Sequence, residues 1–102
     1  MDRETVIATL RAHEPELRAA GVASLSVFGS VARDEAQDGS DIDLVVRLNE
    51  ASSQGGFAYF ERLDALSRRL HDILGAPVDV VTEPVRREGL RRAIEKERAL
   101  AF

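Results

Sequence analysis

The sequence predicts an α/β (α+β) domain, a small mixed sheet of three to four strands packed with helices, and two patterns carry that prediction. Short apolar runs rich in β-branched residues, "ASLSVFG", "DIDLVVRL" and "PVDVVT", alternate with stretches of helical period. The clearest helical stretch is 57–74, where Phe57, Phe60, Leu63, Leu66, Leu70 and Ile73/Leu74 recur on one stripe and Gly75 follows as a stop. The length, 102 residues, fits one domain spanning residues 1–102.

The elements follow in order. Residues 3–12 read as a helix with Val6, Ile7 and Leu10 on one face. Pro15 disfavours helical geometry at Glu14, so a break falls there, followed by a short helix to about Ala20 with Gly21 as its C-terminal cap. "ASLSVFG" alternates Leu25 and Val27 against Ser24, Ser26 and Phe28 and ends as a strand at Gly29. Ser30 caps a short helix through Arg33 to Ala36, and "DGS" at 38–40 is turn chemistry. Residues 41–48 form a second strand, 49–56 a loop, 77–82 a third strand, and 86–98 a charged helix with Leu90, Ala93 and Ile94 inward.

Composition narrows the function. The absence of cysteine removes disulfides and thiolate metal sites. No apolar run approaches the ~20 residues of a membrane span, and the charged N-terminus has no apolar signal core, so a cytoplasmic protein without a membrane partner is expected. The net charge of −4 argues against direct nucleic-acid binding, which depends on phosphate neutralisation by Lys and Arg. The charge is also segregated. Asp34, Glu35, Asp38, Asp41 and Asp43 crowd a stretch without a basic residue, whereas Arg86, Arg87, Arg91 and Arg92 offer a candidate contact face near the C-terminus.

The acidic stretch carries the chemistry. Side chains at i and i+2 of a strand share a face about 6.6 Å apart along the chain, so Asp41 and Asp43 point one way while Ile42, Leu44 and Val46 point the other. Asp79 is likewise a lone acid inside an apolar strand. If the two strands are neighbours, three carboxylates meet on one face, an arrangement that is unfavourable without a cation. With one it is a hard oxygen site suited to Mg²⁺, and two such ions would clamp the oxygens of an in-line displacement. Gly29 at a strand end allows close backbone approach, and Ser30 opens a helix whose first N–H groups favour phosphate. Taken singly, each feature has a bland explanation: a turn with a helix cap, a solvated turn, an edge acid facing water. Their conjunction is what points to nucleotide chemistry.

Other chemistries fail on spacing. A calcium loop beginning at Asp34 would place Ala36 at its third position and Val45 at its twelfth, where the bidentate glutamate belongs. There is no GxxxxGK[ST] loop and no GxSxG elbow, and His13 and His71 lack ligand spacing. Gly55 and Gly56 read as an ordinary loop more readily than as a lid.

Gly29-Ser30, ten residues, then Asp41-x-Asp43, with a third acid on a later strand, resembles the GS-x10-DxD pattern of the DNA polymerase beta nucleotidyltransferase superfamily. The run "FGSVARDEAQDGSDIDLVV" is especially similar to its minimal nucleotidyltransferases, the small bacterial and archaeal proteins called MNT. The resemblance implies that Asp41 and Asp43 ligate two Mg²⁺ ions, and that Asp79 binds the ion that activates the attacking hydroxyl. It also implies that Gly29 and Ser30 hold the triphosphate of ATP. Arg33 stands where the family often has arginine, a further nucleotide-binding candidate. The resemblance further implies pairing with a HEPN-domain toxin in a hetero-oligomeric toxin–antitoxin module, with transfer of AMP from ATP to a toxin tyrosine. Two alternatives stay open: a non-catalytic antitoxin that neutralises its partner by occlusion, and a nucleotidyltransferase acting on a small molecule.

Overall fold

The computed structural model describes residues 2–35, 40–51 and 55–102. The expected end of the first short helix at Ala36, the start of the 38–40 turn and the centre of the 49–56 loop lie outside the described residues. The chain forms α1 (Arg3–Ala12), α2 (Glu14–Ala19), β1 (Val22–Phe28), α3 (Gly29–Ala32), β2 (Ile42–Leu48), α4 (Phe57–Leu74), β3 (Val78–Thr82), α5 (Glu88–Glu97) and β4 (Ala99–Leu100). Among the described residues, no helix is long and apolar enough to cross a membrane.

The four strands form one mixed sheet in the order β3-β2-β1-β4. β2 runs antiparallel to β1 and parallel to β3, the parallel pair being joined through α4, as a crossover connection requires. The two faces of the sheet are covered differently. Leu25, Val27, Ile42, Leu44 and Val46 pack in the main core with Val6 and Leu10 of α1, Leu17 of α2, and Leu66, Leu70 and Leu74 of α4. On the opposite face Phe28 and Val45 pack with Ile94 of α5, flanked by Val81, Val85 and Leu90. The alternation read from β1 is therefore correct in direction, yet Ser26 and Phe28 are buried too, because α5 covers the second face.

Local chemistry sets the helix boundaries. The Asp2 carboxylate caps α1 by accepting from Thr5 N–H at 2.8 Å, and its bonds to Thr5, first the side chain and then the N–H, lower its pKa. Pro15 lies inside the first turn of α2, where its missing N–H costs nothing, so the break falls at His13 instead of Glu14. α2 is tied to α4 by a two-pronged Arg69–Glu16 ion pair, whose Nη2–Oε1 arm is 2.9 Å, and the guanidinium holds the Glu16 carboxyl at about 2. Gly75 ends α4 in the left-handed conformation, φ +67°.

Two expectations need correction. Phe57 and Phe60 do not join the core stripe of α4: they are 89% and 67% exposed, the first turn meeting the sheet through Tyr59, whose hydroxyl bonds to Thr82 Oγ1 at 3.2 Å, while the buried residues of the helix are Leu66, Leu70 and Leu74. The final helix is followed by β4, which the sequence reading left out and which pairs antiparallel with β1 through Ser26↔Leu100 and Val27↔Ala99. Just before it, the Arg98 guanidinium donates to Ser26 Oγ at 3.1 and 3.3 Å and to Glu83 Oε1 at 2.8 Å, supplying partners for a fully buried hydroxyl.

This burial pattern separates the two apolar sets of α4. Leu70→Ala is expected to cost about 2–5 kcal/mol in urea unfolding, as core truncations do. Phe57→Ser should change stability by less than about 0.5 kcal/mol. Comparable losses for both would put Phe57 in the core.

Candidate active site

The site assembles where β1 ends and β2 and β3 begin. β1 and β2 are antiparallel with Phe28 opposite Asp43, so Gly29, the next residue, stands against the Asp43 side chain. β2 and β3 are parallel with Asp43 directly opposite Asp79, so those two side chains share a face. Asp41 is exposed and lies one residue before β2, two residues from Asp43. Farther along the same face α5 packs over Val45, leaving the Asp43–Asp79 end accessible: Asp43 is half-buried and Asp79 exposed.

Gly29 is required on two counts. Its φ of +71° lies in the left-handed region, and a Cβ built on it would stand 2.2 Å from Asp43 Oδ2. The carboxylate thus occupies the volume that any other side chain at 29 would fill.

α3 is a single turn whose flanking cap residue is Phe28, in extended conformation. Ser30 is the second residue of the turn and not its cap, which corrects the sequence reading. The turn closes in a Schellman arrangement: Glu35 N–H donates to Ser30 O at 2.8 Å and Asp34 N–H to Val31 O at 3.0 Å. Asp34 takes the left-handed position, φ +56°, that glycine usually fills. Arg33 is the C-cap, and its Nε donates to Glu35 Oε2 at 3.0 Å while Nη1 donates to Glu97 Oε2 at 2.8 Å.

The electrostatics show what the face lacks. Burial, then the charges of Asp79 and Asp41, push the Asp43 carboxyl above its ordinary value, while Arg33 opposes them. The pKa of Arg33 is itself raised, chiefly by its bond to Glu35. Among the described residues, no three acidic or imidazole groups are gathered closely enough to hold a metal ion as they stand. The donor set of Asp41, Asp43 and Asp79 is nonetheless all hard carboxylate oxygen, in mutual repulsion, and its chemistry fits Mg²⁺.

Sequence reasoning did not single out Glu97, and it read Asp34 only as a member of the acidic stretch, not as the left-handed end of the turn. Glu97 lies 64 residues from Arg33, and no motif joins them. Asp34 at a helix end is a glycine position filled by another residue. In the C-terminal arginine group, Arg92 pairs with Glu88 at 2.7 Å and Arg91 with Glu95 at 4.0 Å, both within α5. Arg86 lines a separate cavity of about 240 Å³ with Tyr59, Thr82 and Glu83.

A face of repelling carboxylates thus lies beside the Gly-Ser turn at one end of the sheet. The chain belongs to the nucleotidyltransferase domain family, whose model matches residues 10–101. The protein adenylyltransferase MntA of Thermococcus cleftensis is 34% identical over 95 residues, covering 92% of this chain and 90% of that protein. A solved chain, provisionally named a minimal nucleotidyltransferase, superposes with a TM-score of 0.76 at 33% identity, covering 97% of this chain and 95% of the other. The fold also recurs in a complex of a tri-AMPylated Shewanella oneidensis HEPN toxin with an MNT antitoxin. There the TM-score is 0.62 at 18% identity, with 98% of this chain and 71% of that one covered.

Two stability experiments follow from this geometry. Gly29→Ala should destabilise the protein by about 1–2 kcal/mol or more, from left-handed backbone strain plus the clash. Asp43→Ala should relieve part of that loss in the double variant, because Asp43 Oδ2 at 2.2 Å is removed and the Cβ at 3.3 Å remains. Strict additivity would mean that the two residues do not touch.

The raised Asp43 pKa means that the fold favours the protonated acid. Its stabilising effect is therefore present at low pH and lost as pH rises through the folded value. In EDTA, Asp43→Asn should raise Tm at pH 7, with the gain shrinking on acidification; a lower Tm at pH 7 would make Asp43 a structural partner.

Proposed function

We propose that this chain is a Mg²⁺-dependent adenylyltransferase that moves AMP from ATP to a tyrosine hydroxyl of a HEPN-domain partner, acting as the antitoxin of a two-protein module. The observation that carries this reading is the contact of the Asp43 carboxylate with the Gly29 backbone, Asp79 alongside, in a chain 34% identical to a protein adenylyltransferase. Resemblance of the "FGSVARDEAQDGSDIDLVV" run to the minimal nucleotidyltransferases supports the HEPN partner and the tyrosine acceptor.

Each residue then has a role. Asp41, Asp43 and Asp79 would hold two Mg²⁺ ions. When bound, the ions neutralise the phosphates and the charge that develops on the leaving group. Gly29 keeps the turn free of a side chain where the triphosphate approaches, and the Ser30 hydroxyl donates to a phosphate oxygen. Arg33 offers a planar, permanently charged fork to the phosphates. The acceptor oxygen attacks the α-phosphorus in line, the bond to the bridging oxygen breaks, pyrophosphate leaves, and the hydroxyl proton passes to solvent water.

Intact-mass spectrometry of the HEPN partner, incubated with this protein, ATP and Mg²⁺, should show the addition of adenylyl units. Asp41→Asn/Asp43→Asn should abolish the addition. Silencing of the partner by both proteins with no gain of mass would overturn the catalytic reading in favour of occlusion. Calorimetry should show ATP binding that weakens in EDTA.

A further inference from the structure

We propose that Glu97 is a positioning residue of the nucleotide site that acts by fixing the guanidinium of Arg33; this rests on the reading of Arg33 as a triphosphate ligand. The Arg33 backbone is already fixed, because the turn that carries Ser30 closes on both sides of it through Glu35 N–H to Ser30 O and Asp34 N–H to Val31 O. Its side chain is not fixed by those backbone bonds. An arginine on a one-turn helix end has many rotamers, and a site that must order it on binding loses affinity for the ligand.

Two carboxylates hold the guanidinium, and they differ. Glu35 lies two residues away, with a side chain 64% exposed, and moves with the turn itself. Glu97 is 24% exposed and is the last residue of α5, a helix anchored on the sheet by buried Ile94. Its 2.8 Å bond to Arg33 Nη1 is better shielded from water and ties the arginine to an element outside the Gly-Ser turn. A guanidinium carries five N–H donors, of which these bonds use two, so the fork can stay in place and still reach a phosphate.

The opposite view, that Glu97 competes with phosphate for Arg33, reverses the sign of the effect.

Calorimetry with the full chain and Mg²⁺ separates these views, using ATP and AMP as ligands for wild type, Arg33→Gln, Glu97→Gln and the double variant. Glu97→Gln should raise the Kd for ATP about threefold to tenfold, the cost expected for ordering one long side chain. It should change the Kd for AMP much less, and it should add nothing in the Arg33→Gln background. Unchanged or tighter ATP binding by Glu97→Gln, with Arg33→Gln still weakened, overturns the role of Glu97. Equal, additive losses for ATP and AMP together with a lowered Tm would make Glu97 merely structural, which also overturns it. Full ATP affinity in Arg33→Gln would remove Arg33 from the site, and the inference with it.

Discussion

The Asp43 carboxylate lies on the Gly29 backbone, and most of the architecture around the site serves that contact. It requires β1 and β2 to pair with Phe28 opposite Asp43, because a shift of one residue would turn Asp43 into the main core and Leu44 outward. It requires residue 29 to lack a side chain and to accept a positive φ. It requires the apolar residues of β2 to stay on the opposite face, where Leu25, Val27 and the helices α1, α2 and α4 bury them. A side chain that repels its own neighbours is thus held in place by the packing of residues that never approach it.

Much of this was legible in the sequence for specific physical reasons. The bounds of α4 at 57 and 74 follow from its helical period and from Gly75, since both leave local signals. The shared face of Asp41 and Asp43 follows from the strand period, and the Gly-Ser turn from the end of an apolar run. The adjacency of β2 and β3 was a supposition, and the observed register places Asp79 directly beside Asp43. Long-range and exceptional features were not legible. β4 is two residues long and has no periodicity to read. Phe57 and Phe60 fit the helical stripe, but periodicity does not say how much of a stripe the rest of the fold covers. Ser30 has the chemistry of a cap, yet the extended Phe28 precedes the turn and takes that position.

The C-terminal segment organises the second face of the sheet. α5 covers Phe28 and Val45 through Ile94, Arg98 satisfies the buried Ser26 and reaches Glu83, and β4 then pairs with β1. Arg11 adds a bond from α1 to the Ala101 carbonyl at 2.6 Å, so the last residues connect both layers. This arrangement leaves the face accessible at its Asp43–Asp79 end and closed at the other by α5.

The position of β3 at the margin of the sheet has a consequence for how the molecule behaves in a crowded solution. A marginal strand offers backbone groups to any other extended chain, and apolar strands of this kind are templates for fibrous self-association. Here the strand is five residues long, with Pro77 before it and Pro84 two residues after it, and Asp79 places a charge among its valines. Those are devices that discourage stacking of one copy upon another. The carboxylate assigned to the proposed chemistry thus also interrupts an apolar edge, and in that proposal solubility and activity would constrain the same position from independent directions.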